Sequence, residues 1–209
     1  MSNLPPLYIL GSSGFAREVA AYALALAPGR EVFFVDDYDK SGASLTAAQY
    51  TERVRQYGGE SVLGAGRCEI RRKQLAEIQP PYATIVHPTA VVMGQIAPGC
   101  VIAPGAVIAP HARLENHVVV NYNATVGHDT LIESLCVIGP GVAVGGWCRL
   151  AEAAYVGAGA LIRERLNIGH DAVVGMGAVV TKDVAPELVA AGVPARFYPK
   201  SESGKGWLK

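Results

Sequence analysis

The chain of 209 residues is half hydrophobic and only 17% charged, with 18 Lys and Arg against 18 Asp and Glu. That length allows one large domain or two modest ones with a sizeable core, and that hydrophobicity excludes a disordered chain. Zero formal net charge gives no electrostatic footprint for nucleic acid or an anionic membrane surface.

Leu7-Tyr8-Ile9-Leu10 is a short buried strand with no basic region before it. It is too short for a signal peptide or a membrane span, so a cytoplasmic location is expected. Gly11-Ser12-Ser13-Gly14 follows and opens an Ala-rich helix from about Phe15 to Ala27, stopped by Pro28-Gly29. Glu31–Val35 reads as a second strand ending in Asp36-Asp37. A possible helix near Ala47–Gln56, a third strand at Ser61–Ala65 and a helix from Cys68 to Gln79 complete residues 1–83. Strand–turn–helix alternation of this kind predicts a small parallel sheet covered by helices, a Rossmann-like α/β domain.

The rhythm then changes. Every sixth residue from Ile96 to Val180 is Ile, Leu or Val, and the residue after it is most often Gly or Ala. No helix or alternating strand has a six-residue period, whereas a parallel β-helix does. Each flat face supplies one inward aliphatic residue and each corner needs a small one. Residues 84–199 are therefore expected to form such a helix, with 200–209 as a tail. Cys100, Cys136 and Cys148 fall on the small position of their hexads and read as buried packing residues, while Cys68 lies outside the repeat.

Three hexads complete a coil, so residues 18 apart should stack. One column reads Pro110, His128, Gly146, Glu164, and its neighbour reads His111, Asp129, Trp147, Arg165. A glycine under His128 predicts a gap beside the imidazole, and Asp129 should lie within reach of both His111 and His128. Gly11-Ser12-Ser13-Gly14, between a strand and a helix, offers N–H groups and a helix dipole suited to a diphosphate.

Val-Thr-Lys-Asp-Val (180–184) and Ala-Gly-Val-Pro-Ala-Arg (191–196) close the repeat as in the hexapeptide-repeat acyltransferases. Together with Gly-Ser-Ser-Gly, Val-Asp-Asp and Gly-His-Asp, the chain resembles their NeuD/PglD-type sugar acetyltransferases. Bacillosamine and perosamine N-acetyltransferases and sialic acid O-acetyltransferases typify these enzymes. The resemblance implies a left-handed β-helix, a homotrimer with sites between adjacent subunits, and N-acetylation of a nucleotide-linked amino sugar by acetyl-CoA. It implies His128 as general base, with Asp129 raising its basicity and Asn121 near the sugar. Ser13, Gly14 and Phe15 would line the sugar-nucleotide site, Asp36 and Asp37 would face the base or ribose, and Gly66 would close it. Acetyl-CoA would pass Gly146, Ala158 and Met176. Where a related pattern has a second histidine on the cofactor, this chain has Val137.

Of the remaining histidines, His87 at the domain junction reads as structural, and His111, His117 and His170 read as surface residues. Sialic acid O-acetylation would use the same machinery. Two different functions also fit parts of the pattern. One is a metal site of the γ-carbonic-anhydrase kind on His111, His117 and His128, and the second is a non-catalytic nucleotide-binding scaffold.

Overall fold

The structure, a computed structural model, describes residues 4–200; all of the expected tail at 200–209 except Lys200 lies outside them. β1 (Leu7–Leu10), β2 (Val32–Val35) and β3 (Glu60–Leu63) form a parallel sheet in the order β2-β1-β3, with β1 central and buried throughout. The helices are α1 (Gly14–Leu26), α2 (Ala47–Tyr57) and α3 (Cys68–Leu75). A capping box starts α2, where the Thr46 side chain accepts from Gln49 N and Gln49 returns a bond to Thr46 N. The third helix ends earlier than the sequence pattern implies. Its last N–H groups turn back onto Lys73 and Gln74 carbonyls ahead of Pro80-Pro81, where α geometry is disfavoured.

From Ile85 onward, two-residue strands wind a left-handed parallel β-helix with three faces. Thr125 pairs with Val107 below and Ala143 above, so one coil is 18 residues. The sixth-residue aliphatics from Ile102 to Val180 fill the interior, together with Cys100, Cys136 and Cys148. An antiparallel hairpin, Leu188–Ala191 with Arg196–Pro199, ends the solenoid.

The outward residues distinguish the three faces. On the first, Ile85, Val101, Val119 and Val137 point away from the solenoid core and into the core of the α/β domain. Each valine so buried contributes roughly 1.5–3 kcal/mol relative to exposure, which fixes the domain on this docked face. The second face carries Val91, Val107, Thr125, Ala143, Leu161 and Val179, with no α/β domain against it. Along the third run Gln95, Arg113, Leu131, Arg149 and Asn167. We call these the docked, bare and polar faces.

Arg71 on α3 ties the domains together. Its fully buried guanidinium donates to Leu63 O and Ala65 O in the α/β domain, and to His117 O at the polar–docked corner of the solenoid. Burial lowers its pKa to about 10, which leaves it charged at neutrality. At the surface of the same junction Arg72 pairs with Asp171 at 2.9 Å and Glu152 at 3.4 Å.

His117 is not a surface residue. It is 3% exposed, its ring packs edge-on against Tyr82 with centroids 4.7 Å apart, and Nδ1 has no partner among the described residues. Burial, reinforced by the Arg71 charge, lowers its pKa from 6.5 to about 4. The unfolded chain thus takes up a proton below pH 6.5 that the folded chain refuses until about pH 4. Unfolding free energy should therefore fall as pH drops through that window, by an amount on the order of 3 kcal/mol. His117→Asn, whose side chain tolerates the φ of 59° at this corner, should flatten that slope in denaturant titrations. An unchanged slope would assign the effect to another group.

Candidate active site

The corner between the bare and polar faces carries His128. Its backbone is fixed by the coil on each side, with Asp129 N donating to Pro110 O and Trp147 N donating to His128 O. The buried Thr130 hydroxyl donates to Gly145 O and accepts from Cys148 N, bracing this corner to the next coil. The His128 side chain is 48% exposed, and its Nδ1 lies 2.8 Å from Asp129 Oδ2. A carboxylate only accepts, so Nδ1 carries the hydrogen and Nε2 is left with the lone pair of a base. Asp129 turns to His128 and makes no hydrogen bond with His111.

The gap expected at Gly146 is taken by the imidazole itself. A Cβ at 146 would stand 2.8 Å from His128 Nε2, so the missing side chain is what lets the ring lie there. The Trp147 ring closes another side, T-shaped to the imidazole with centroids 4.3 Å apart.

A three-histidine metal site does not form. His111 shares the bare–polar corner with His128, but His117 is buried at the polar–docked corner under Tyr82. No metal-binding cluster of His, Cys, Asp and Glu occurs among the described residues. His87 has a local role at the junction: Nδ1 bonds Thr89 Oγ1 at 2.9 Å and the ring meets Tyr22. His170 pairs with Asp171 at 3.3 Å. Burial raises the Cys68 pKa to about 11.

In the α/β domain Ser13, Asp36, Asp37 and Gly66 line one cleft of about 560 Å³ with Arg67 and Lys73. The aspartates are already engaged. Asp36 Oδ2 accepts from Ser12 N at 3.1 Å and Ser12 Oγ at 2.6 Å, holding the serine turn against β2. Asp37 Oδ1 accepts from Ala47 N, the start of α2. Their oxygens therefore shape the cleft first, and its wall also carries the cations Arg67, 4.0 Å from Glu69, and Lys73. Ser13 makes no side-chain cap, so the first-turn N–H groups of α1, beginning at Gly14, stay without one. Nothing in the turn's sequence signalled Arg67 and Lys73, which arrive with α3.

A second recess of about 210 Å³ joins the first at Gly66 and is lined by Phe15, Glu18, Asn121, Tyr122, Val137 and Tyr155. Val137 belongs to this domain junction and is 4% exposed. Asn121 sits at the docked–bare corner, as do Ala158 and Met176, which stack in successive coils as expected. Gly146 does not share their groove, for it lies across the bare face with His128. Within one chain, then, the expected residues of the solenoid fall into two groups at opposite edges of the bare face.

No family model matches the chain. It is 36% identical over 90 residues to serine acetyltransferase of Escherichia coli K12, covering 42% of this chain. The chain spans only 33% of that relative's length. Solved structures match along nearly the whole chain. Perosamine N-acetyltransferase from Caulobacter crescentus, in complex with CoA and GDP-perosamine, is 26% identical, with a TM-score of 0.83 over 92% of this chain and 97% of that one. The acetyltransferase domain of PglB from Neisseria gonorrhoeae, in complex with acetyl coenzyme A, is 28% identical, with a TM-score of 0.83 over 93% and 99%. Taken with its hexads, its two-domain build and its His–Asp corner, the chain is similar along nearly its whole length to hexapeptide-repeat sugar acetyltransferases of the NeuD/PglD type.

Proposed function

We propose that the protein transfers the acetyl group of acetyl-CoA to the amine of a nucleotide-linked amino sugar, with His128 as general base. The His128–Asp129 pair carries this reading. A neutral imidazole, oriented by a carboxylate on Nδ1 and open at Nε2, accepts the proton that the amine loses as its nitrogen bonds the thioester carbonyl carbon. The Gly146 N–H, which has no protein acceptor among the described residues, stands beside the imidazole and supplies a donor for the oxyanion. As the carbon–sulfur bond breaks, the imidazolium returns the proton to the departing thiolate. The cleft with Arg67 and Lys73 takes the nucleotide, and the Phe15–Gly66–Asn121 recess takes the sugar. The resemblance to perosamine N-acetyltransferase, solved with both its ligands, supports this assignment.

The split between the two corners supports a homotrimer. The sugar recess and His128 lie at opposite edges of the bare face, whose outward residues are apolar apart from Thr125. Packing that face against a neighbouring copy buries it and brings one chain's recess towards another's base. Val91 and Leu161 on it are 49% and 47% exposed in the single chain. No helix among the described residues is long and apolar enough to cross a membrane, and a cytoplasmic setting fits the supply of acetyl-CoA.

Incubation with acetyl-CoA and UDP-, GDP- and dTDP-linked 4-amino sugars tests the reading. One of them should gain an acetyl group by mass spectrometry as free CoA thiol appears. Failure of the whole panel would reject it. Light scattering should give three times the 21.9 kDa chain, and an active monomer would reject the trimer.

A further inference from the structure

Trp147 is an odd residue for its place. The docked–bare corner fills its left-handed position with glycine or asparagine, as at Gly105, Asn123, Gly141 and Gly159, whereas the bare–polar corner carries His111, Asp129, Trp147 and Arg165 there. Trp147 holds φ of 54° there, a conformation that a bulky aromatic rarely adopts. Burial does not explain it, because the side chain is 49% exposed. Its contacts do. The indole lies against the His128 ring at 4.3 Å and 85°, and the Arg165 guanidinium sits over the indole at 4.3 Å. Along the solenoid axis the order is His128, Trp147, Arg165, one coil after another. The imidazole is thus bounded by the Asp129 carboxylate, the Gly146 backbone and the Trp147 ring.

We infer that Trp147 is a positioning residue for His128, with Arg165 holding the indole in place through a cation–π contact. The indole restricts the imidazole to the orientation in which Nδ1 meets Asp129, and it keeps water from one side of the ring. A solvent-exposed base has few packing neighbours to hold it, and here the restraint comes from the next coil. The catalytic consequence rests on reading His128 as the base, whereas the restraint itself does not.

Trp147→Gly separates this role from a structural one, since glycine suits the left-handed corner better than tryptophan does. The variant should keep or raise the melting temperature and keep the oligomeric mass, yet lose roughly tenfold or more in kcat. KM for both substrates should stay within about twofold, and Trp147→Phe should recover most of the loss. An unchanged kcat, or a loss that comes with a lower melting temperature or a smaller assembly, would overturn the inference. A second arm needs no turnover: the His128 ring-proton NMR signals, assigned against His128→Gln, should lose the indole ring-current shift in Trp147→Gly. Unmoved signals would overturn the inference even in an active enzyme. A wild-type protein inactive with every sugar would instead reject the function, leaving the NMR result to judge Trp147.

Discussion

His128→Ala is expected to lower kcat by two orders of magnitude or more while the KM for the nucleotide sugar changes little. The general-base step is worth about 10²–10⁴ in rate, and no other group at the bare–polar corner is built to replace it. His111 on the coil below lacks a carboxylate on its ring, and Glu164 on the far side of Gly146 is exposed. Asp129→Asn should cost less than His128→Ala, because an amide oxygen can still accept from Nδ1–H but no longer stabilises the imidazolium. Steady-state kinetics on the sugar that proves active would check both. Near-normal turnover in His128→Ala would remove the assignment. Gly146→Val is a poorer probe than it looks from sequence, since the new side chain collides with the imidazole before it meets any ligand.

Arg71→Met should destabilise the protein by roughly 3 kcal/mol, and Arg71→Ala by more. The guanidinium satisfies three buried carbonyls, those of Leu63, Ala65 and His117, at 3.3, 2.9 and 2.6 Å. Methionine fills most of the volume but leaves those oxygens without a donor, and alanine adds a cavity. The difference between the variants separates packing from hydrogen bonding. Nucleotide binding should weaken as well, because Ala65 precedes Gly66, the residue shared by both recesses of the proposed sugar-nucleotide site. Urea titration checks the first expectation and calorimetry the second. An Arg71→Met protein as stable as wild type would mean that burying the charge costs as much as its three bonds return.

The interior of the solenoid was legible because it is written locally, one aliphatic residue in six. The stacking of Gly146 and Trp147 over His128 and Asp129 followed from the same count. Side-chain occupancy did not. The count places a glycine beneath His128 but does not say whether a ligand or the imidazole fills the space. Asp36 could be recognised as a strand-end acid, yet its bonds to Ser12 span 24 positions and leave no local trace. Arg71 stands beside Arg72 and Lys73 in a polar helix whose sequence looks solvent-facing along its length. Only the docked face makes the first of these cations a buried clamp. His117 misled for the same reason, since the corner that hides it is covered by another domain. Burial created by domain docking is a long-range property, and hexad periodicity carries no information about it.

The 18-residue coil makes angular position around the solenoid a matter of phase. Removing a single hexad from the coils before His128 would leave every aliphatic still pointing inward, so the core would tolerate it. His128, the proposed base, would however rotate by a third of a turn into the corner now held by Tyr122, beside the Phe15–Gly66–Asn121 recess of its own chain. Removing eighteen residues would return it to its own corner one storey lower. Insertions and deletions in this domain are therefore counted in two different units, six residues for folding and eighteen for keeping the chemistry on its edge of the prism.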